Sequence, residues 1–144
     1  KVILQRVKSA SVTIDNQVVS KIYKGLLVLV GLKDDDTEKN FDYIINKILN
    51  LRIFSDQNGV MNESILDKKL EILLVSQFTL YADSKKGNRP SYMKAMTPQE
   101  AKPLYKSFVE TFKKRYPKIQ DGKFGTDMDV ELINDGPITI ILEN

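Results

Sequence analysis

The sequence of 144 residues contains no cysteine, no histidine and no tryptophan. The absence of cysteine excludes disulfides, thiolate zinc sites and cysteine nucleophiles. The absence of histidine excludes imidazole metal ligands, imidazole general bases and serine–histidine–aspartate triads. Any catalysis must therefore use hydroxyls, carboxylates, lysines, backbone dipoles or groups that the substrate brings.

Long apolar runs are also missing. The longest is the eight residues from Gly25 to Leu32, whereas a transmembrane helix needs roughly 18 or more. The first residues show no apolar run like that of a signal peptide. We therefore expect a cytoplasmic protein with no membrane partner. Length and composition fit a single globular domain over residues 1–144.

Apolar periodicity in the first half of the chain predicts strands followed by a helix. Val2 to Lys8 alternates between apolar and polar residues, and Asp15 to Gln17 is typical of a hairpin turn between two further strand-like runs. The uniformly apolar run Gly25 to Gly31 predicts a central strand covered on both faces. The apolar stripe from Phe41 to Leu49 predicts a helix.

The second half of the chain predicts one more helix between strands. Leu70 to Tyr81 is strongly β-prone, and Thr97 begins a capping box that opens the second helix. Pro103 predicts a kink there or a later start of the regular helix. At the end, Asn134 to Pro137 predicts the tip of a hairpin. Strands at both ends with two helices between them indicate an α+β fold.

The net charge is only +3, but basic residues are concentrated in one segment. Between Lys85 and Lys118, ten lysines and arginines stand against two glutamates, a local charge of +8. Charge alone favours a solvated helix over a polyanion-binding surface. Tyr23, Tyr81 and Tyr92 are candidates for stacking on bases, whereas the tyrosines of the second helix lie on its apolar stripe and are expected in the core.

Few segments suggest chemistry. The three adjacent carboxylates Asp34 to Asp36 resemble a magnesium site, but carboxylates before a helix more often complement its dipole. Val75 to Leu80 places small polar residues at the exit of a strong strand, and Gly122 to Gly125 sets an aromatic ring between glycines. Each of these segments, and the turn at Asn134 to Pro137, has an ordinary structural explanation when taken alone.

Taken together, in this order and spacing, these segments resemble the D-aminoacyl-tRNA deacylases, also called D-tyrosyl-tRNA deacylases. The resemblance is nearly end to end. The matching segments are Gln5 to Val7, Gly25 to Gly31, Asn50 to Phe54, Ser76 to Leu80, Lys86 to Ser91, Gly122 to Gly125 and Asn134 to Thr139.

The resemblance implies a cytoplasmic homodimer that hydrolyses the ester between a D-amino acid and the terminal adenosine of tRNA, and that also removes glycine. It implies one α+β domain, made of twisted, barrel-like β-sheet layers with two main helices packed on one side. The partners would be tRNA and a second subunit. We expect no metal ion and no cofactor, since the sequence has no motif for either.

The resemblance also implies site residues. Gly136 and Pro137 would form a cis peptide that reaches from one subunit into the pocket of the other and excludes L-amino acids, a case of selectivity through a clash. The implied residues are Ser76, Gln77, Phe78 and Thr79 for catalysis, Gly136 and Pro137 for chiral selectivity, Arg6, Phe124 and Met128 for the pocket and its support, and Lys85, Lys86 and Arg89 for tRNA binding.

Two versions of the chemistry remain open. Thr79 is a candidate nucleophile, but its hydroxyl needs a base, which only a lysine of depressed pKa could supply here. In the other version, residues 76 to 79 position the ester, and backbone N–H groups near Phe78 and Thr79 stabilise the oxyanion. The ribose 2′-hydroxyl of the tRNA then activates water. We favour this substrate-assisted version.

Two rival functions follow from the same residues. A domain of this fold could clear wrong L-amino acids from tRNA, as the similar module of archaeal threonyl-tRNA synthetases does. From a different class, the basic segment could belong to a nucleic-acid-binding module without enzymatic activity.

Overall fold

The computed structural model describes residues 1–144, and its long first strand organises the sheet. The elements in chain order are β1 (Val2–Ile14), β2 (Gln17–Ile22), β3 (Gly25–Val30), α1 (Phe41–Asn50), β4 (Phe54–Ser55), β5 (Met61–Glu63), α2 (Ile65–Lys68), β6 (Glu71–Ser76), α3 (Pro98–Arg115), β7 (Ile119–Asp121) and β8 (Asp129–Leu142), with 3₁₀ turns at Glu38–Asn40 and Phe78–Tyr81.

Strand β1 pairs antiparallel with three other strands. Its first half pairs with β3 and its second half with β2. Strand β8 pairs with β1 over nearly its whole length. Beyond β3 the sheet continues through parallel pairing to β6 and β7. The six strands curve into a nearly closed, barrel-like sheet, which confirms the predicted α+β class.

The core has two parts because β3 and β6 are buried on both faces. On one face, residues such as Val28 and Leu74 pack with α1 and α3 in a cluster of 21 buried residues. On the other, Leu27 and Leu73 belong to a cluster of 7 buried residues, against which Val130 of β8 packs. The lack of polar alternation in β3 is thus explained, since neither face meets water.

Several local predictions are confirmed. Asp15 and Asn16 have positive φ angles of 49° and 61° and join β1 to β2 as a tight turn, the conformation that Asp and Asn tolerate best after glycine. Helix α1 buries the predicted stripe, which consists of Phe41, Ile44, Ile45, Ile48 and Leu49. Helix α3 has proline at its first position, after Thr97.

Of the two alternatives expected at Pro103, a kink or a later start of the regular helix, the later start is wrong. Helix α3 begins at Pro98 and runs through Pro103 to Arg115. Pro103 lies in the second turn and is exposed. A proline there removes only one N–H bond near the N-terminus, and the burial of Tyr105, Phe108 and other apolar side chains of α3 outweighs that loss.

The predicted strand over residues 70–81 is too long. Strand β6 ends at Ser76, and Phe78 to Tyr81 forms a 3₁₀ turn instead. The N–H of Gln77 still donates to the carbonyl of Val30 at 2.7 Å, after which the carbonyl of Gln77 accepts from the N–H of Leu80. The chain therefore leaves the sheet directly after the last pair with β3.

The predicted C-terminal hairpin is also wrong. Residues on both sides of Asn134 to Pro137 belong to one strand, β8, and both halves pair antiparallel with β1. The register changes between the pairs Gln5–Thr139 and Val7–Asn134, so the segment between them bulges out of the sheet. A turn-like sequence forms a bulge here because β1 is long enough to pair with both halves.

Candidate active site

A cavity of about 760 Å³ lies where β3 and β6 end, beside the first turns of α3. Strands that run parallel place their carboxyl ends at the same edge of a sheet, which is where open α/β sheets also bind ligands. The lining is mainly apolar. It comprises Val30, Leu32, Asp34, Val75, Ser76, Gln77, Phe78, Tyr92, Met93, Ala95, Met96, Thr97, Pro98, Ala101, Tyr105, Phe124, Gly125, Thr126, Asp127, Met128 and Val130.

Gly31 allows the 3₁₀ turn to pack tightly against the end of β3. A Cβ atom at this position would lie 3.0 Å from the carbonyl oxygen of Gln77 and 3.0 Å from the Cβ of Leu80. Contacts this close would force the turn to move. The glycine thus fixes where Gln77 and the residues after it stand beside the cavity.

Within the turn, side chain and backbone present hydrogen-bonding groups to solvent. The Nε2 of Gln77 donates to the Oγ1 of Thr79 at 2.6 Å. Phe78 is 57% exposed, and Thr79 is exposed as well. The N–H groups of Phe78 and Thr79 are the first two of the 3₁₀ turn and therefore have no acceptor within it. They are available to an oxygen atom of a ligand.

Thr79 has no base beside it. Its only side-chain hydrogen bond is the one from Gln77, and neither a lysine nor a carboxylate bonds to its hydroxyl. The lysine that a threonine nucleophile would require is thus not in contact with Thr79. This arrangement can orient and polarise an ester but does not by itself activate a hydroxyl.

Aromatic residues form two walls of the cavity. Phe78 meets Tyr92 in an edge-to-face contact with ring centroids 5.1 Å apart, and the neighbouring Met93 is 90% exposed. Tyr105 packs on Phe124 at 5.6 Å. Phe124 and Met128 line the cavity.

Tyr105 is both a core residue and a cavity residue. It is buried, as its place on the apolar stripe predicts, yet its hydroxyl has no hydrogen-bond partner. Burial, and secondarily the charge of Asp121, raises the pKa of Tyr105. The phenol therefore stays neutral and can serve as a hydrogen-bond donor next to the ligand space.

Sequence reasoning missed several of these lining residues. Tyr105 was assigned to the core alone, and Met93 and Met96 were not singled out. An exposed apolar pair, Tyr92 and Met93, directly after a basic loop was the available signal. Tyr105 carried none, because a tyrosine on a helical apolar stripe is ordinary core.

Arg6 and Asn134 hold the bulge of β8. The Nε of Arg6 donates to the carbonyl of Asp135 at 3.1 Å, and its Nη1 donates to the carbonyl of Ile53 at 2.6 Å. The Oδ1 of Asn134 accepts from the N–H of Ile138 at 2.9 Å. The guanidinium thus ties the bulge to the β4 region.

Gly136 and Pro137 form the tip of the bulge and are joined by a cis peptide bond. Gly136 has a φ of +135°, and a Cβ atom there would lie 3.0 Å from the Cγ1 of Ile138. Both residues are exposed, and neither lines the cavity of its own chain. The tip therefore stands apart from the candidate active site of its own chain.

The basic loop lies beside the cavity rather than in it. Lys85, Lys86 and Arg89 are exposed and do not line the cavity. The loop is closed at its base by paired backbone bonds between Asp83 and Ser91, directly before Tyr92.

Asp83 anchors this loop electrostatically. Its carboxylate accepts from the Nζ of Lys94 and from the backbone N–H of Lys85, and these bonds lower its pKa.

The structure thus brings together some of the site residues that the sequence predicts. Ser76, Gln77, Phe78, Phe124 and Met128 line one cavity, and Thr79 joins them through its bond from Gln77. Gly136, Pro137 and Arg6 form a separate group at the bulge, and the three basic residues lie on the surface. No cluster of three or more acidic residues is arranged to hold a metal ion.

Known proteins resemble this chain over nearly its whole length. A family model described as D-Tyr-tRNA(Tyr) deacylase matches residues 3–143. The D-aminoacyl-tRNA deacylase of Parabacteroides distasonis is 55% identical, and that of Flavobacterium psychrophilum is 56% identical. Each match covers 100% of this chain and 97% of the relative.

Two solved structures are similar to this chain. A protein described as the c-Myc DNA unwinding element binding protein is 45% identical with a TM-score of 0.94, over 99% of this chain and 97% of that one. A probable eukaryotic D-amino acid tRNA deacylase has a TM-score of 0.84 at 17% identity, over 96% of both chains, and supports the fold. The resemblance found in the sequence is confirmed: the chain belongs to the D-Tyr-tRNA(Tyr) deacylase family.

Proposed function

We propose that this protein hydrolyses the ester of D-aminoacyl-tRNA, and of glycine attached to tRNA, releasing the free amino acid and tRNA. Residues 1–144 act as one deacylase domain. The observation that carries the proposal is the turn at Gln77 to Thr79, which presents unpaired backbone N–H groups at the edge of an apolar cavity of about 760 Å³. That volume lies within the usual range for small-molecule sites.

The substrate supplies the missing base. Water attacks the ester carbonyl carbon, and the developing oxyanion accepts hydrogen bonds from the N–H groups of Phe78 and Thr79. The 2′-hydroxyl of the terminal ribose orients this water, accepts its proton as the water attacks, and passes its own proton to the ribose 3′-oxygen. That oxygen leaves as a hydroxyl when the ester bond breaks, and the amino acid is released as the free acid. The absence of a basic side chain next to Thr79 supports this version over a threonine nucleophile.

Orientation and oxyanion stabilisation can accelerate such a reaction without histidine. Removal of one oxyanion-hole donor costs an enzyme roughly 3 kcal/mol of transition-state stabilisation. Fixing the reacting groups in place contributes a comparable or larger amount. The bond from Gln77 to Thr79 and the tight contact at Gly31 make the turn rigid enough for both effects.

The bulge of β8 provides chiral selectivity in a homodimer. Gly136 and Pro137 are exposed and lie outside their own cavity, so they border the cavity of a partner subunit. Ile133 and Ile141, large apolar side chains on either side of the bulge, are also exposed. A partner subunit that covers the tip would also bury these two side chains.

The same geometry explains which esters are cleaved. When the amine and ester of the substrate are anchored, inversion of the α-carbon moves the side chain toward Gly136 and Pro137, so an L-amino acid clashes. A glycyl ester has no side chain to exclude, so it is cleaved. A D side chain points away from the tip, and its identity therefore has little effect.

The surface around the cavity contacts the tRNA. Lys85, Lys86 and Arg89 bind phosphates near the aminoacylated 3′ end, and the exposed Tyr92 and Met93 lie between that loop and the cavity. We place the enzyme in the cytoplasm, where its substrate is made. None of its helices combines the length and apolar character that crossing a membrane requires.

Ester hydrolysis tests the proposal directly. The protein is incubated with D-tyrosyl-tRNA, L-tyrosyl-tRNA, glycyl-tRNA and L-seryl-tRNA, and loss of each ester is followed over time. We expect rapid loss of the D-tyrosyl and glycyl esters only. Equal rates on both tyrosyl esters would exclude chiral selectivity, and a preference for the L-seryl ester would indicate L-amino-acid editing instead.

A modified substrate tests the role of the ribose. Replacing the 2′-hydroxyl of the terminal adenosine by hydrogen should abolish turnover, while binding of the tRNA is retained. Turnover of the 2′-deoxy substrate at the normal rate would contradict the substrate-assisted mechanism.

A second function is favoured by one observation. The relative at 45% identity is named for binding a DNA unwinding element, and residues 85–118 of this chain carry an excess of positive charge. A nucleic-acid-binding protein without activity would bind tRNA with strong salt dependence and cleave none of the esters.

A further inference from the structure

A second groove lies at the opposite end of β3 and β6 from the candidate active site. Its volume is about 790 Å³. It forms where β3, β6 and β7 begin, and its lining includes Tyr23, Glu71 and a group of lysines. These lysines are Lys8, Lys24, Lys69 and Lys118.

The lysines of this groove are free to bind an anion. None of them forms an ion pair, whereas Lys106, Lys113 and Arg115 of α3 each contact a carboxylate. Lys118 donates through its Nζ to the carbonyl of Lys69 at 2.6 Å, which keeps both residues at the groove. Like charges that share one groove without counterions repel each other, and a bound polyanion relieves this repulsion.

The one acidic residue of the groove, Glu71, offsets only part of the charge of the four lysines. One carboxylate oxygen of Glu71 accepts the backbone N–H of Tyr23 at 2.9 Å, so this side chain is held against the start of the sheet. The ring of Tyr23 is 67% exposed, with the Nζ of Lys21 at 5.4 Å from its centroid.

The groove and the candidate active site lie at opposite ends of β6. Strand β6 leads from Glu71 at the groove to Ser76 at the cavity, a distance of about 17 Å at the usual rise per residue. Helix α3 spans the same interval, with its first turns at the cavity and its end next to Lys118. The exposed Lys102 and Lys114 of this helix also lack carboxylate partners.

We infer that the groove of Lys8, Lys24, Lys69 and Lys118 binds backbone phosphates of the double-helical part of the tRNA whose 3′ end occupies the candidate active site. This inference rests on the proposed function for the identity of the RNA. It assigns a second contact surface, distinct from the loop at Lys85 to Arg89. Duplex phosphates fit because they present a fixed row of charges over a long distance, independent of sequence.

The test removes two of these charges in the full chain. Lys8→Ala and Lys24→Ala are combined, because both side chains are exposed and neither makes a hydrogen bond. We expect the Kd for uncharged tRNA and the KM for D-tyrosyl-tRNA to rise roughly tenfold at moderate salt, with the slope of log Kd against log salt smaller by about one unit per lysine. The kcat should not change.

One matched substrate and one matched variant give the inference its controls. D-tyrosyl-adenosine, which has no phosphates, should be hydrolysed by the double variant at the wild-type rate. Lys39→Ala combined with Lys47→Ala removes two exposed lysines outside the groove, and should leave the Kd for tRNA within about twofold of wild type.

Several outcomes would overturn the inference. If the groove variant has the Kd and the salt slope of the wild type, the lysines do not contact RNA and the inference is wrong. The proposed function would still stand in that case, because it depends only on D-ester hydrolysis by the wild type. An equal loss on D-tyrosyl-adenosine would indicate a structural defect. An equal rise in KM for a short D-aminoacylated single strand ending in CCA would assign the groove to the single-stranded end. Absence of D-ester hydrolysis in the wild type would instead refute the proposed function, and the tRNA Kd values would still decide the inference.

Discussion

The two segments that carry the family signatures are held in place by different means. Residues 76–79 are positioned by the main chain, through the bond from Gln77 to Val30 and the close approach at Gly31. Residues 134–138 are positioned by side chains, chiefly Arg6 and Asn134. The first segment should therefore respond most strongly to changes of backbone space, and the second to loss of individual polar groups.

The largest effect on kcat is expected at Gly31. In Gly31→Ala the new Cβ atom would meet Gln77 and Leu80 at 3.0 Å, so the turn must shift. These distances require the turn to give by a few tenths of an ångström. Misplacement by about 1 Å lowers a rate roughly 100-fold, so this smaller shift should lower kcat for D-tyrosyl-tRNA by about tenfold. Gly59→Ala is the control, because a Cβ atom there has open space although its φ is +76°. It should reduce stability and leave kcat unchanged. Normal kcat in Gly31→Ala would mean that the turn is not held by backbone contact.

Loss of the Arg6 side chain should release the bulge. Arg6→Ala leaves the carbonyls of Ile53 and Asp135 without their donors, and hydrogen bonds to charged groups are worth about 1.5–3 kcal/mol each. We expect the free energy of unfolding to fall by about 3 kcal/mol and the D-to-L rate ratio to fall with it.

A second variant, Arg6→Lys, separates the charge of Arg6 from its planar geometry. Arg6→Lys keeps the charge but cannot reach both carbonyls with one planar group. It should recover part of the stability and little of the selectivity, as urea unfolding and the two tyrosyl esters would show. Full selectivity in Arg6→Ala would indicate that side chains do not hold the bulge.

Asn134 allows a smaller and more specific change. Asn134→Asp keeps the acceptor for the N–H of Ile138 but loses the donor that bonds to the Oγ1 of Thr139. We expect a loss of about 1 kcal/mol in the free energy of unfolding, against about twice that for Asn134→Ala. Equal losses in both variants would mean that the bond to Ile138 does not contribute.

The smallest effect is expected at Thr79. If the main chain supplies the oxyanion contacts, Thr79→Ala removes only the partner of Gln77. The kcat for D-tyrosyl-tRNA should then fall by less than about tenfold, and Thr79→Ser should be close to wild type. A loss of several thousandfold in Thr79→Ala would instead identify the hydroxyl as the nucleophile.

Local sequence patterns predicted the buried elements well. Both patterns follow from burial itself. A helix buried on one face, such as α1, shows an apolar stripe with helical spacing, and a strand buried on both faces, such as β3, is apolar throughout. A fully buried leucine or isoleucine gains about 1.5–3 kcal/mol from leaving water, so such patterns are under strong physical constraint. The position of the site at the end of β6 was likewise indicated by Ser76 to Thr79.

The errors arose where distant residues decided the structure. The length of the strand beginning near Leu70 was overestimated because the turn at Gln77 depends on Gly31, which is far away in the chain. The hairpin at Asn134 to Pro137 was predicted from local turn residues. It failed because β1, with 13 residues, offers pairing to both sides of that segment.

The site was only partly predictable for the same reason. Residues such as Gln77 and Phe124 were named from the family resemblance, and the structure places them at one cavity. Tyr105 and Met96 come from the region of α3 and meet the cavity only through tertiary packing. Their sequence context is that of ordinary buried residues, so no local signal separates them from the core.

The bulge in β8 divides the strand into paired halves that hold the sheet together and an unpaired tip. Because both flanking halves keep their pairing with β1, the residues of the tip can be replaced, lengthened or shortened without a slip in register that would turn every side chain to the other face. The residues that specify folding and those that we propose to meet the substrate are therefore different residues of the same element. Under that proposal, evolution can alter the stereochemical preference of the enzyme while the sheet that supports it stays unchanged.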